Sequence, residues 1–291
     1  MKEGIYYHRY ALKSAYPLNA RSQRREIEGC LIRVGSGFGC IHPWLELGDK
    51  PLGDQLEALR QSAPLRLGER ALYCAGVDGA AREKGVNLFE GLTIPDSHLM
   101  VTIGMELEKE KTKMFSRIKI KGTADLAATK KESQRCLGLA SEECRLRIDF
   151  NEMLDPAVAM NLAQEMGGEL CGRIEFVEDP CRFDAERWLG LRRQTGLSLA
   201  VDRACEFAVE GKGVVPEWLV IKPAAVDVEG LCLKLVKVIG DLKVCVTSYM
   251  DHAVGQMFAA YEAALLKKKY PGQVRECGLL THALFEEDVF F

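Results

Sequence analysis

From about Ser97 onward, short apolar runs alternate with longer amphipathic stretches. Seven of the short runs read as strands: His98–Ile103, Phe115–Lys121, Leu146–Phe150, Arg173–Glu178, Leu197–Asp202, Trp218–Lys222 and Lys243–Thr247. Between them, Ala124–Ser141, Glu152–Met166, Asp184–Thr195, Val226–Ile239 and His252–Lys268 carry helical spacing of their apolar residues. Repeated strand–helix alternation implies a parallel sheet with crossover helices, and this many units favour closure into a (β/α) barrel. The first 95 residues have another rhythm. Arg25–Val34 alternates like a strand, the GSGFG that follows reads as a turn, and Leu52–Ser62 and Leu67–Lys84 read as helices. The Gly-, Asn- and Pro-bearing stretch Gly85–Asp96 marks a boundary. The expected organisation is an α+β domain over 1–95 and a barrel over 96–270, with 271–291 packing back on the first domain.

Five of the short apolar runs close on a charge: FSRIKIK at Lys121, LRID at Asp149, IEFVE at Glu178, LSLAVD at Asp202 and EWLVIK at Lys222, spaced 20 to 29 residues apart. A charge that closes an otherwise buried strand is costly unless it serves a site. Side chains alternate faces along a strand. Arg147, Asp149 and Asn151 therefore share one face, and Leu146, Ile148 and Phe150 the other. By the same count Ile174, Phe176 and Glu178 share a face, as do Ser198, Ala200 and Asp202, Lys119 and Lys121, and Val220 and Lys222. If these faces point inward, the charged ends meet at the C-terminal mouth, where barrel enzymes carry their chemistry.

Three converging carboxylates repel one another, and a divalent cation relieves the repulsion. All-oxygen ligation points to a hard ion such as Mg²⁺. A lysine beside such an ion is destabilised as an ammonium and becomes available as a base. The pattern implies proton abstraction next to a metal-bound carboxylate, with the metal stabilising the enediolate that forms.

Composition narrows the classes. The chain of 291 residues is 47% hydrophobic and 28% charged with a net charge of −3. This gives no reason to expect a nucleic-acid or membrane partner. Its opening residues, MKEGIYYHRYALKS, lack the apolar core of a secretory leader, so a cytoplasmic location is expected. The eleven cysteines are scattered with no CxxC pair and read as reduced core thiols. Lys267–Lys269 suits a helix C-terminus, and Gly35–Gly39 lacks the lysine of a phosphate loop.

The ordered set Lys119-Ile120-Lys121, Asp149-Phe150-Asn151, Glu178-Asp179-Pro180, Asp202 and Lys222-Pro223 resembles the enolase superfamily, in its muconate-lactonizing-enzyme-like branch. Within that branch IEFVEDPCRF, LAVDRA, LVIKPA and VTSYMDHAVG most resemble the o-succinylbenzoate synthase family of menaquinone biosynthesis. The likeness runs from about Lys113 to Gly255 and, more weakly, over EGCLIRVGSGFGCIHPWLELG. It implies an α/β fold, a modified (β/α)7β TIM-type barrel with an N-terminal α+β capping domain. A Lys or His base with Mg²⁺ is the superfamily's general pattern.

Carried over by position, the resemblance implies that Asp149, Glu178 and Asp202 ligate Mg²⁺, or Mn²⁺ in its place. Lys121 would be the base and Lys222 the cation across the ring. Lys119, Arg147 and Ser248 would contact the substrate or support those that do, and Asn151 would support a ligand. Asn19–Arg25 would form a lid, with Arg21–Arg25 able to meet an anion. The implied substrate is a small carboxylate; monomer and homo-oligomer both remain open. Three features depart from the family pattern: Arg203 stands where Glu often follows the third ligand, Cys40 where Glu often follows Gly39, and Ser248-Tyr249-Met250-Asp251 replaces a Ser-rich loop. Two other functions share the residues. One is an N-acylamino acid racemase or dipeptide epimerase, and the other is a catalytically silent metal-binding scaffold.

Overall fold

The computed structural model describes residues 4–16, 18, 24–205, 216–226, 228, 230, 231 and 242–286. Strands β1 (Ile5–Lys13), β2 (Glu26–Val34) and β3 (Gly37–Ile41) form an antiparallel sheet in that order. Ile27, Cys30 and Ile32 of β2 and Ile41 of β3 are buried against helices α1 (Leu52–Arg60) and α2 (Arg66–Glu83), through Leu52, Leu56, Leu59, Leu67 and Ala71. Helix α2 lies close on β3 because Gly37 and Gly39 carry no side chain. A Cβ on Gly39 would stand 2.1 Å from the Ala71 carbonyl oxygen, and one on Gly37 1.9 Å from that of Ala75. The glycines expected in a turn thus lie within a strand, and only Gly35 and Ser36 make the turn. Strand β1 was not foreseen. Five of its first residues are exposed in succession, so it shows no alternation, and it is held by main-chain pairing along all of β2.

The second sheet has seven parallel strands in sequence order: β4 (Leu99–Val101), β5 (Arg117–Lys121), β6 (Arg145–Asp149), β7 (Ile174–Glu178), β8 (Leu199–Val201), β9 (Trp218–Ile221) and β10 (Lys243–Val246). The chain after Pro271 closes it. Arg275 and Gly278 donate to the carbonyls of Val244 and Val246, while Cys277 donates to Asp96 and accepts from His98. This segment fills an eighth position between β10 and β4. The fold is the expected modified (β/α)7β barrel, capped by the antiparallel sheet and its helices. Beyond the closing segment, Phe285 bridges to Ser14 at the end of β1.

Outside the barrel lie α3 (Lys109–Thr112), α4 (Leu126–Leu139), α5 (Pro156–Met160), α6 (Leu162–Met166), α7 (Gly168–Cys171), α8 (Ala185–Thr195) and α9 (Ala253–Lys269). Outward residues of the strands, among them Ile118, Ile148, Val177 and Leu219, pack with Cys136, Leu162, Trp188 and Ala263 of these helices into one core. A small inner cluster of Phe176, Ala200, Trp218, Val220 and Cys245 fills the barrel itself. The expected helix over Glu152–Met166 is broken. Asp155 caps a new start at Pro156, and Asn161 (φ −98°, ψ 4°) interrupts α5 and α6. The helix expected over Val226–Ile239 and the lid expected over Asn19–Arg25 fall largely outside the described residues.

The parity of β7 needs a correction. Leu146 pairs with Ile174 but Arg147 pairs with Phe176, so one extra residue bulges at Glu175. Ile174 therefore joins the outer core while Phe176 faces in. Among the described residues, the ten cysteines are free thiols, and no helix is long and apolar enough to cross a membrane.

Gly39→Ala is expected to force α2 off β3 and to lower stability by about 1–3 kcal/mol, the usual cost of overpacking. A urea titration should show the drop as a lower midpoint.

Candidate active site

Parallel register puts the strand-end charges side by side. Lys121 on β5 pairs with Asp149 on β6, and Asp149 with Glu178 on β7. Asp202 and Lys222 directly follow β8 and β9. All five open on the same rim, as their parity requires. Lys121 Nζ lies 2.6 Å from Asp149 Oδ2. Lys119 Nζ, one inward step lower, reaches both Asp149 Oδ2 (3.1 Å) and Glu178 Oε1 (2.7 Å). Lys222 Nζ is bonded to Asp202 Oδ2. Asn151 donates to Asp149 Oδ1 twice, from its main-chain N (3.0 Å) and its Nδ2 (2.8 Å).

The rim is dry. Asp149 and Glu178 are fully buried, and Lys119, Lys121 and Asp202 nearly so. Burial and the adjacent Asp149 charge push the Glu178 carboxyl up to about 7. Burial also opposes the charge on Asp149, but Lys119 and Lys121 outweigh it and hold Asp149 below the usual carboxylate range. The two outer lysines differ. Burial, reinforced by Lys119 and Lys222, lowers the pKa of Lys121. Burial acts on Lys222 too, but the carboxylates around it, Asp202 first, raise its pKa.

Among the described residues, no group of three His, Cys, Asp or Glu side chains stands close enough together to hold a metal ion. The carboxylates are drawn instead onto three ammoniums, and three charges of each sign cancel. The donor set nevertheless fits a divalent ion. The donors are hard oxygens, and Glu178 Oε2 is buried without a hydrogen-bond partner. Gathering the three carboxylates round one ion requires the lysine pairs to open. Beside them is a cavity of about 190 Å³, lined by Asp202, Arg203 and Lys222 from the barrel and by Leu47 and Arg66 from the capping side.

A protein of Bdellovibrio bacteriovorus named o-succinylbenzoate synthase is 31% identical over 298 residues, covering 98% of this chain and 88% of that protein. The family profile described as "O-succinylbenzoate synthase, N-terminal domain" matches residues 5–81. The chain belongs to the o-succinylbenzoate synthase family of the enolase superfamily. A second family member, from Yersinia enterocolitica, is 36% identical over 101 residues, 34% of this chain and 31% of that protein. Among solved structures, the L-Ala-D/L-Glu epimerase of Bacillus subtilis has the same fold, with a TM-score of 0.81 over 99% of this chain and 92% of that one at 18% identity. The dipeptide epimerase of Enterococcus faecalis V583 complexed with Mg and the dipeptide L-Leu-L-Tyr gives 0.80 at 17% identity, over 99% and 93%.

The remaining residues singled out by resemblance to this family lie as follows. Ser248 Oγ bonds Thr281 Oγ1 at 2.6 Å and accepts from the N–H of Met250, tying β10 to the closing segment. Arg147 lies deep in the barrel. It is sandwiched between Phe176 and Trp218, and it bonds Glu175 (2.6 Å), His98 (2.9 Å) and the Glu276 carbonyl (2.9 Å). None of these partners belongs to the carboxylate rim.

Asp179 received no role from the sequence, although it sits in the E-D-P motif. It is buried at φ 40°, and its carboxylate accepts from the N–H of Asp202 (3.1 Å) and of Arg203 (3.0 Å), fixing the turn that presents Asp202. The capping contacts were also missed. Trp44 Nε1 donates to the Tyr249 carbonyl (2.7 Å), Tyr249 to Asp49 Oδ2 (2.8 Å) and Arg66 to Asp49 Oδ1 (2.9 Å). Arg70 grips Glu262 of α9 with both guanidinium ends. All but the Arg66–Asp49 pair join residues some 200 positions apart, which only the folded chain reveals.

Lys119→Met leaves Asp149 and Glu178 facing each other without their shared cation. In metal-free buffer the variant is expected to lose about 3–5 kcal/mol of stability. The loss should be larger at pH 8 than at pH 5, because below its raised pKa Glu178 takes up a proton and the repulsion fades. Urea titrations at the two pH values check both sign and size.

Proposed function

We propose that the chain is a Mg²⁺-dependent carbon–oxygen lyase, a dehydratase that converts 2-succinyl-6-hydroxy-2,4-cyclohexadiene-1-carboxylate to o-succinylbenzoate in menaquinone biosynthesis. One observation carries the reading beyond family membership. Lys121 ends β5 and Lys222 follows β9, four steps apart in a ring of eight positions, and the three carboxylates lie at the ends of the strands between them. The lysines thus face each other across the mouth with the acidic rim on one side. A substrate held there offers one face to each.

In this reading Mg²⁺ held by Asp149, Glu178 and Asp202 would supply Lewis-acid charge beside the ring carboxylate. Lys121, as the neutral amine, takes the α-proton next to that carboxylate. The electron pair left behind then forms the ring double bond as the C6–hydroxyl bond breaks. The Lys121 ammonium returns its proton to the departing hydroxyl on the same face. Water leaves, the ring is aromatic, and Lys121 is neutral again. Lys222 stays charged and meets the negative charge that develops on the far side. Asn151 holds Asp149 in orientation, and Lys119 neutralises the inner carboxylate oxygens. Ten free thiols suit a reducing, cytoplasmic setting.

Opposed lysines also suit the exchange of one α-proton between two faces, the chemistry of an N-acylamino acid racemase or dipeptide epimerase. A dehydration assay on the cyclohexadiene decides between them. Turnover should be abolished by EDTA and restored by Mg²⁺. Deuterium uptake into an N-succinyl amino acid in D₂O without dehydration would favour the racemase, and no turnover of either substrate would leave a silent scaffold.

Lys121→Ala is expected to lower kcat by about 10²–10⁴-fold, the usual cost of losing a general base, with the circular dichroism spectrum unchanged. Near-normal turnover would remove Lys121 as the base. For Glu178→Gln, isothermal titration should show Mg²⁺ bound at least about tenfold more weakly, as expected when a charged oxygen ligand is neutralised.

A further inference from the structure

Arg203 directly follows Asp202, at a position where a cation beside a metal ligand looks unfavourable. Its side chain meets Glu152 rather than a carboxylate of the rim. Its main-chain N–H is pinned by Asp179 Oδ2 at 3.0 Å, which fixes the turn. Its side chain is only 17% exposed and meets Glu152 Oε2 through NH1 at 3.4 Å, a long contact. Among the described residues that is its sole side-chain hydrogen bond, so most of the donors of the fork have no protein acceptor. Arg203 lines the cavity of about 190 Å³ beside Lys222.

Arg66, the first residue of α2, lines the same cavity from the capping side. It is held there by Asp49 Oδ1 at 2.9 Å and by the Ala225 carbonyl. Three cations and one carboxylate, Asp202, therefore line this space, and Asp202 is already paired with Lys222. Asp49 and Glu152 offset the charge of the two arginines, but the Arg203 fork keeps donors without a protein acceptor on this half-enclosed wall, and a planar fork suits a carboxylate. The cavity adjoins Lys222, the lysine that stays charged, rather than replacing the site of the base.

We propose that this cavity is a subsite for a second carboxylate, carried on a short arm of the substrate. Arg203 is its specificity-determining contact and Arg66 its partner across the cleft. The inference deepens the reaction assigned above and rests on it for the placement of the first carboxylate at the rim. It also gives Arg203 a function that a glutamate at the same position could not perform. The arm approaches between the turn after β8 and the start of α2, so capping domain and barrel each contribute one guanidinium.

Two ligands isolate the effect. o-Succinylbenzoate carries both carboxylates, whereas 2-butanoylbenzoate has the same ring carboxylate and a methyl group in place of the second. Isothermal titration in Mg²⁺ should show the wild type binding the dicarboxylate at least about tenfold more tightly, as one charge-assisted hydrogen bond gives. Arg203→Gln should bring that preference close to unity, and Arg203→Lys should keep part of it. In the dehydration assay Arg203→Gln should raise KM about ten- to a hundredfold with a smaller change in kcat. Arg66→Gln provides the same comparison if Arg203→Gln does not fold. A preference unchanged in the folded variants overturns the subsite even when dehydration proceeds. Absence of dehydration by the wild type refutes the reaction assignment, while a preference that Arg203→Gln abolishes still upholds the subsite.

Discussion

Three ammoniums and three carboxylates share one dry rim, and their mutual neutralisation is the constraint on which the barrel mouth depends. Moving any one of these ions out of water costs several kcal/mol, and only close opposite charges repay it. Lys119 is central because it touches both Asp149 and Glu178 at the innermost level. The balance is also conditional. A divalent cation among the carboxylates would leave the rim with two surplus positive charges. An anionic ligand and a neutral lysine are the two natural ways to restore it. Binding of a cation, binding of an anion and the charge of the lysines would therefore be linked through a single charge count.

The backbone keeps that count in one place. Parallel register aligns successive strand ends, and Asp179 extends the alignment past β8 by holding the N–H groups of Asp202 and Arg203. Lower in the barrel, Arg147 stacks between Phe176 and Trp218 and spans Glu175, His98 and the closing segment. Arg147 is in register with Lys119, so this second set of ionic contacts begins at the lower edge of the first. Above the rim, Trp44, Asp49, Arg66 and Tyr249 join the capping elements to the loops after β9 and β10.

Much of this was legible because strands have a period of two and parallel barrels a single active rim. Asp149, Lys121 and Lys222 could be placed on that basis from apolar neighbours alone. Where the period fails, so did the reading. Ile174 was assigned inward because the bulge at Glu175 has no marker in the sequence. Strand β1 was missed because edge pairing leaves its side chains exposed on both faces. The helix break at Asn161 was hidden within an otherwise good amphipathic pattern, although Asp155-Pro156 marked the new start. Asp179 and Arg203 were visible as letters but not as partners, since one accepts from main-chain N–H groups and the other meets Glu152, 51 residues away in the chain.

The barrel's eighth position is filled by a segment near residue 277, which pairs with the chain at residues 96–98. The ring therefore cannot shut until the segment near residue 277 is available to pair. Until then both terminal strands, β4 and β10, expose unpaired edges, and nascent chains of this kind invite association with one another. Joining partners some 180 residues apart also makes ring closure a slow step in folding. Completion of the charged rim thus waits on residues that contribute no charge to it.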